Sequence, residues 1–283
     1  MAAMRDIKRR NESIRNIQQI TKAMKLVSTV KLQRAKGRAQ SVRPYADKIY
    51  AMAVSMLRKA EDTNLPYLKK KESSKNGVIV ISGNRGLAGG YHHNIVKAVM
   101  EQNLTPKNTL VYGVGKKGSD LLKRKGYTIA AEADQMIDDP RFEDAQALGK
   151  SLLDAYEKGE IGKIYLAYTR FKNTVTHIPT VIQLLPPTSL TAQDKKEETY
   201  MDFEPEAEQM LKTVIPKYIS SFLYSAVAES VASENGARIQ AMDLATSNAE
   251  EMINELSLAY NRARQGAITQ ELTEIISGAE ALG

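Results

Sequence analysis

Ile7-Lys-Arg-Arg-Asn-Glu-Ser-Ile14-Arg-Asn-Ile17-Gln-Gln-Ile-Thr21-Lys-Ala-Met24-Lys-Leu-Val-Ser28 contains no glycine or proline, and its apolar residues recur at helical spacing. The seven-residue series that opens here with Ile7, Ile14, Thr21 and Ser28 continues as Ala35, Val42, Ile49 and Met56. Three residues after members of that series stand Ile17, Met24, Tyr45 and Met52, which supply the other half of an a/d seam. A repeat held over this many heptads predicts a coiled-coil helix across residues 4–58, reaching roughly 80 Å at 1.5 Å per residue. Pro44 removes a hydrogen bond and is expected to bend that helix without breaking it.

The opposite end of the chain has the same character. Over residues 206–281, Leu211, Ile215, Tyr218, Phe222 and Ala226 recur at spacings of three and four. The stripe then becomes small, with Ser230, Ser233, Ala237, Ala241, Ala245 and Ala249, so this half is expected to pack closely on a partner helix. Ile253, Leu256, Tyr260, Ala263, Ala267 and Ile268 carry the face onward. Pro216 is read as first-turn proline or a kink near the helix start, and the helix beyond it spans roughly 95 Å. Two such helices can lie antiparallel only if something compact joins them.

Residues 75–200 are that joint. Gly77-Val-Ile-Val-Ile-Ser82 reads as a buried strand, followed by a glycine-rich turn and a helix over 91–102. Thr109-Leu-Val-Tyr-Gly113 is a second strand, with helices over 116–125 and 142–157 and a strand pair over 163–170 and 176–185. Strands alternating with helices imply a mainly parallel sheet. The expected organisation is an N-terminal helix in 1–70, a central α/β domain in 75–200 and a C-terminal helix in 205–283.

Composition removes several functions. There is no cysteine, so disulfides, thiolate metal sites and cysteine catalysis are excluded, and three histidines make a histidine-rich metal site unexpected. No apolar run approaches bilayer length and the first residues lack a secretion-signal segment, so a non-secreted protein of a reducing compartment is expected. The net charge of +7 conceals an asymmetry. Residues 1–71 carry eighteen Lys/Arg against five Asp/Glu, whereas residues 205–283 carry five against eleven. The acidic end argues against a nucleic-acid binder, since the two ends can attract one another instead.

Ser82-Gly-Asn-Arg-Gly-Leu-Ala-Gly-Gly90 follows a strand and precedes a helix, where phosphate loops sit. It fits neither the dinucleotide fingerprint nor a P-loop, and a glycine turn that lets strand and helix pack closely explains it. His92 and His93 have no ligand partners nearby in sequence and are expected to be exposed at a helix start. Asp138-Asp139-Pro140 reads as a turn and helix entry. No nucleophile and base stand together, so no catalytic residue, cofactor site or metal site is assigned. A nucleotide-dependent α/β enzyme with helical extensions remains the alternative that this loop would serve.

The terminal helices carry a resemblance. Ile17-Gln-Gln-Ile-Thr-Lys-Ala-Met-Lys-Leu-Val-Ser28, the Gly-Leu-Ala-Gly-Gly turn at 86–90, Ser233-Glu-Asn-Gly-Ala-Arg-Ile-Gln-Ala-Met242 and Ala259-Tyr-Asn-Arg-Ala-Arg-Gln-Gly-Ala-Ile-Thr-Gln-Glu-Leu-Thr-Glu-Ile-Ile-Ser-Gly278 occur in order along the chain. Together they resemble the gamma subunits of F-type ATP synthases over essentially the whole length. Asn84 stands where that family often has Asp, and Ile239 where Met is common.

The resemblance implies an α/β fold class: a long antiparallel coiled coil of N- and C-terminal helices with a central Rossmann-like domain. It implies a non-catalytic rotor subunit, with no cofactor of its own, encircled by three alpha and three beta subunits. It also implies contact with the epsilon subunit and the membrane c-ring, at the cytoplasmic face of a bacterial membrane. Leu272, Ile275, Ile276 and Ala279 would enter an apolar collar. Met24, Arg238, Arg264, Gln265, Thr269 and Glu271 would meet loops of the catalytic subunits. Arg5, Lys8, Arg9, Arg10, Lys22 and Lys25 would face acidic loops of the same subunits, while Lys31 and Arg34 would pair with acidic residues of the C-terminal helix. Tyr200, Phe203 and Glu204 would form the foot.

Overall fold

The computed structural model describes residues 2–59, 75–186 and 207–280. Two elements dominate: helix α1, Ala2–Lys59, with 58 residues, and helix α6, Ala207–Glu280, with 74. The described chain forms two compact units. One comprises residues 1–28 and 239–283, the other residues 29–238.

Helix α1 buries one stripe, and that stripe corrects half of the predicted seam. Ile7, Ile14, Thr21, Ser28, Ala35, Val42, Ile49 and Met56 are all buried or half-buried, as the seven-residue series requires. Of the predicted companions three positions on, Met24 and Met52 are half-buried, but the other two face out. Ile17 is 46% and Tyr45 52% exposed. The unbroken inward series lies four residues on: Asn11, Gln18, Lys25, Leu32, Ala39, Ala46 and Ala53. Both spacings satisfy a heptad, because a-to-d is three residues and d-to-a is four. The partner helix selects the second spacing, and it turns polar and small residues inward. The helix continues through Pro44, whose missing N–H frees only the carbonyl of exposed Gln40, a group water can satisfy. Pro216 lies ten residues into α6, which rules out the first-turn reading and leaves a position near the helix start.

The second unit is built on five strands. These are β1 (Asn76–Ile81), β2 (Thr109–Val114), β3 (Thr128–Glu132), β4 (Lys163–Phe171) and β5 (His177–Leu185), in spatial order β3-β2-β1-β4-β5. The first four run parallel and β5 pairs antiparallel with β4. Between them lie α2 (Tyr91–Glu101), α3 (Lys116–Arg124), the single turn α4 (Gln135–Asp138) and α5 (Phe142–Glu157). Because β1 is covered on both faces, its apolar run is continuous. Val78 and Val80 face a core of Ile95, Val99, Val111 and Leu122 from α2, β2 and α3. Ile79 and Ile81 face the larger core, which α5, the end of α1 and residues 211–227 of α6 fill.

Serines dock α6 onto this sheet. The Ser233 hydroxyl donates to the Thr169 carbonyl at 3.0 Å, and the Ser230 hydroxyl accepts the Thr169 N–H at 3.3 Å. Both serines are fully buried. The small stripe at 230–233 therefore admits the end of β4, where a partner helix was expected.

Candidate partner-contact surfaces

In the first unit the two helix segments run antiparallel, and polar pairs set their register. The Asn11 amide donates to the Ser257 hydroxyl at 3.1 Å, the Thr21 and Thr246 hydroxyls lie 2.7 Å apart, and Lys25 pairs with Asp243. Each pair sums to 267 or 268 in residue number, so Ala2 lies level with about residue 266. From Ile268 to Ala279 every residue of α6 is exposed. Leu272, Ile275 and Ile276 stand 54%, 67% and 60% open, with no helix of the described residues beside them.

The expected contact residues fall in three places. Arg264, Gln265, Thr269 and Glu271 form an exposed group at the start of this overhang. The Thr269 hydroxyl donates back to the Gln265 carbonyl at 2.9 Å. Met24 is half-buried and level with residues 243–244, some twenty residues, or roughly 30 Å, along α6 from Arg264. Arg238 belongs to the second unit. Tyr200, Phe203 and Glu204 lie outside the described residues.

In the second unit the sheet reverses order at β1 and β4, and the crevice beyond the carboxyl ends of these strands is where α/β folds hold ligands. Helix α6 fills it. A methyl group built on Gly83 would lie 2.5 Å from the Glu234 carboxylate, so a side chain 151 residues away would have to shift to admit one. Arg238 holds Glu234 in an ion pair and donates to the Arg85 and Gly86 carbonyls at 3.3 Å each. Tyr91 donates its hydroxyl to the Ser230 carbonyl at 3.0 Å; burial, and then Glu234, push its pKa up, so it stays protonated. His92 is buried, contrary to the expectation of exposure. Its Nδ1 accepts the Gly83 N–H at 3.4 Å and its Nε2 faces the Arg85 carbonyl at 3.0 Å, while burial lowers its pKa and keeps it neutral. His93 is exposed as expected. Asn84 explains its own departure from Asp. Its amide donates to the Asp134 carbonyl and the Asp138 carboxylate, each at 2.8 Å, where a second carboxylate would repel.

Beside this loop lies a cleft of about 310 Å³, lined by Lys31, Arg34, Arg38, Arg85 and Arg238 and by Asp138, Asp139 and Glu234. Lys31 and Arg34 line it without an ion pair among the described residues; the expected pairing with acidic residues of α6 is made instead by Lys25 with Asp243 and Arg43 with Glu229. Lys25 is thus turned toward α6, not outward. Leu87, with φ of 61° and 63% exposure, projects from the loop. No group of three or more acidic or histidine side chains among the described residues converges to hold a metal. The Glu234–Arg238 clamp escaped the sequence reading, although an acid four residues before a base was a visible signal.

Residues 3–282 match the family model described as ATP synthase. Among curated proteins, the ATP synthase gamma chain of Lachnoclostridium phytofermentans is 54% identical over 290 residues, covering 100% of both chains. That of Alkaliphilus metalliredigens is 40% identical over 99% of this chain and 98% of its own. The sodium ion specific gamma chain of Acetobacterium woodii is 37% identical over 99% and 98%. In the fold comparison, a chain from the Euglena gracilis mitochondrial ATP synthase, in an OSCP, F1 and c-ring assembly, superposes with a TM-score of 0.71. It covers 99% of this chain and 95% of its own at 19% identity.

Proposed function

The chain belongs to the ATP synthase gamma-chain family, and from that premise we propose that it is the central rotor of a bacterial F-type ATP synthase. Three alpha and three beta subunits encircle its helices, the epsilon subunit and c-ring hold its foot, and it works at the cytoplasmic face of the membrane as a peripheral subunit. No helix among the described residues is long and apolar enough to cross a membrane. The observation that carries the reading is the end of α6: twelve residues beyond the reach of α1, with large aliphatic side chains exposed.

The mechanism follows from asymmetry. Two unequal helices present different side chains in each direction, so three identical catalytic subunits around them meet different faces. Turning the helices moves each subunit through the same conformations in succession, by stabilising one conformation at a time. An aliphatic end makes no directional bond, which suits a bearing. Arg264, Gln265, Thr269, Glu271 and Met24 serve as contacts made and released during the turn; an exposed charged contact is worth about 0–1 kcal/mol, weak enough to break each cycle.

The chain itself does no ATP chemistry in this reading. What supports that is Glu234, whose carboxylate occupies the crevice a nucleotide phosphate would need. The test is co-assembly with alpha and beta subunits. ATP turnover of the complex is expected to depend on this chain, while the chain alone binds no labelled ATP in equilibrium dialysis. Micromolar one-to-one binding, or turnover by the chain alone, overturns the proposal.

A further inference from the structure

The first unit is built inside out. Only five of its described residues are buried outright: Thr21, Ser28, Met242, Thr246 and Ala249. Three are hydroxyl residues and one is alanine, leaving Met242 as the single large apolar side chain fully inside. Ten large apolar side chains of the same unit are exposed, Ile17, Ile20, Val27, Leu244 and Leu258 among them.

The inner seam is also short of protons. The Thr21 hydroxyl faces the Gln18 carbonyl at 3.0 Å, the Thr246 hydroxyl faces the Met242 carbonyl at 2.7 Å, and the two hydroxyls face each other at 2.7 Å. Two hydroxyl hydrogens cannot supply three hydrogen bonds, so one contact in this buried layer is always unmade. Asn11, Gln18 and Lys25 occupy neighbouring inward positions with further polar groups. Helices draw most of their stability from burying an apolar face, and this pair buries only Met242 outright, with Ile7, Ile14, Met252, Ile253 and Leu256 half-covered.

We infer that residues 2–28 and 239–280 become a stable helix pair only when the surrounding subunits cover their outer face, so that folding of this unit is coupled to assembly. The occupant is the alpha/beta ring, and the inference rests on the rotor reading above. A strongly apolar interior would hold the pair together unaided, whereas a polar seam leaves its ordering to be completed on assembly.

Segment-resolved hydrogen exchange tests this on the full chain, first alone and then assembled with alpha and beta subunits. In the free chain, amides of 2–28 and 239–280 are expected to exchange at least about 100-fold faster than those of β1, β2 and β4. In the complex that gap closes. Protection of these segments in the free chain equal to that of the strands overturns the coupling even when the complex forms. Failure of the complex to form overturns the rotor reading, a separate result. A Thr21→Val, Thr246→Val double variant removes both hydroxyls at constant shape and is expected to slow exchange of the free chain's first unit about tenfold. Unchanged exchange in this variant counts against the polar seam as the cause.

Discussion

Helix α6 is one unbroken element, yet residues 211–235 and residues 242–267 live under different rules. The former stretch buries Leu211, Val214, Ile215, Tyr218, Ile219, Leu223 and Val227 around much of its circumference, against strands on one side and helices on others. The latter buries a single narrow stripe against α1, and only Met242, Thr246 and Ala249 fall fully inside. Local helix propensity does not differ enough to explain this. What differs is the partner: a sheet with two covered faces supplies an apolar wall, whereas a lone helix supplies a seam. Under the proposed function, the stretch open to other subunits is the one left underburied.

Ion pairs separate the two regions most strongly. Arg238→Ala strips the partner from Glu234, whose side chain is 6% exposed, and is expected to cost about 3 kcal/mol of second-unit stability. Lys25→Ala in the first unit breaks a pair whose members are 42% and 62% exposed and should cost under about 1 kcal/mol. Segment-resolved hydrogen exchange on each variant gives both numbers; equal costs would erase the distinction.

Glycines give a difference of sign. At Gly115, φ is +93° and an added methyl group would lie 2.3 Å from the Ser82 carbonyl oxygen. Gly115→Ala is therefore expected to lose about 2 kcal/mol, read by chemical denaturation. Gly266 has nothing within 4 Å of a built methyl group. Gly266→Ala should stabilise its helix by about 0.5–1 kcal/mol, seen as slower exchange around it.

The mildest contrast is with pH. All three histidines lie in the second unit, and burial holds His92 and His177 below the ordinary value of 6.5. As pH falls, the unfolded chain takes up these protons before the folded one does. Stability present above 6.5 is therefore lost as pH drops toward the depressed folded values. Thermal unfolding of the second unit is expected to shift downward on acidification, and His92→Gln to flatten that shift. The first-unit helix pair, with no histidine, provides the internal control when the assembled complex is measured.

Much of this was legible beforehand. The helix at 142–157 was read to the residue, and the strands at 77–82, 109–113, 163–170 and 176–185 lie within a residue or so of those observed. Strand β3 was missed because it sits at the sheet edge, where its residues alternate between exposed and half-buried and leave no continuous apolar run. Of the candidate contact residues, Arg264, Gln265, Thr269, Glu271, Leu272, Ile275 and Ile276 lie exposed along one stretch of α6, because neighbours on a single helix need no tertiary information to be brought together. Arg238 was grouped with them, and its guanidinium is turned inward onto Glu234 and the loop at 85–86.

What the amino-acid order decided alone was periodicity: where helices run, where strands alternate with them, and that one seven-residue series faces inward. These are short-range properties, set by steric repeat and by residues within a turn or two. The choice between the spacings of three and four, the burial of His92, and the filling of the crevice by Glu234 were decided by the assembled fold. Each depends on which surface arrives from more than a hundred residues away, and a heptad or a glycine loop is compatible with several such arrivals until packing selects one.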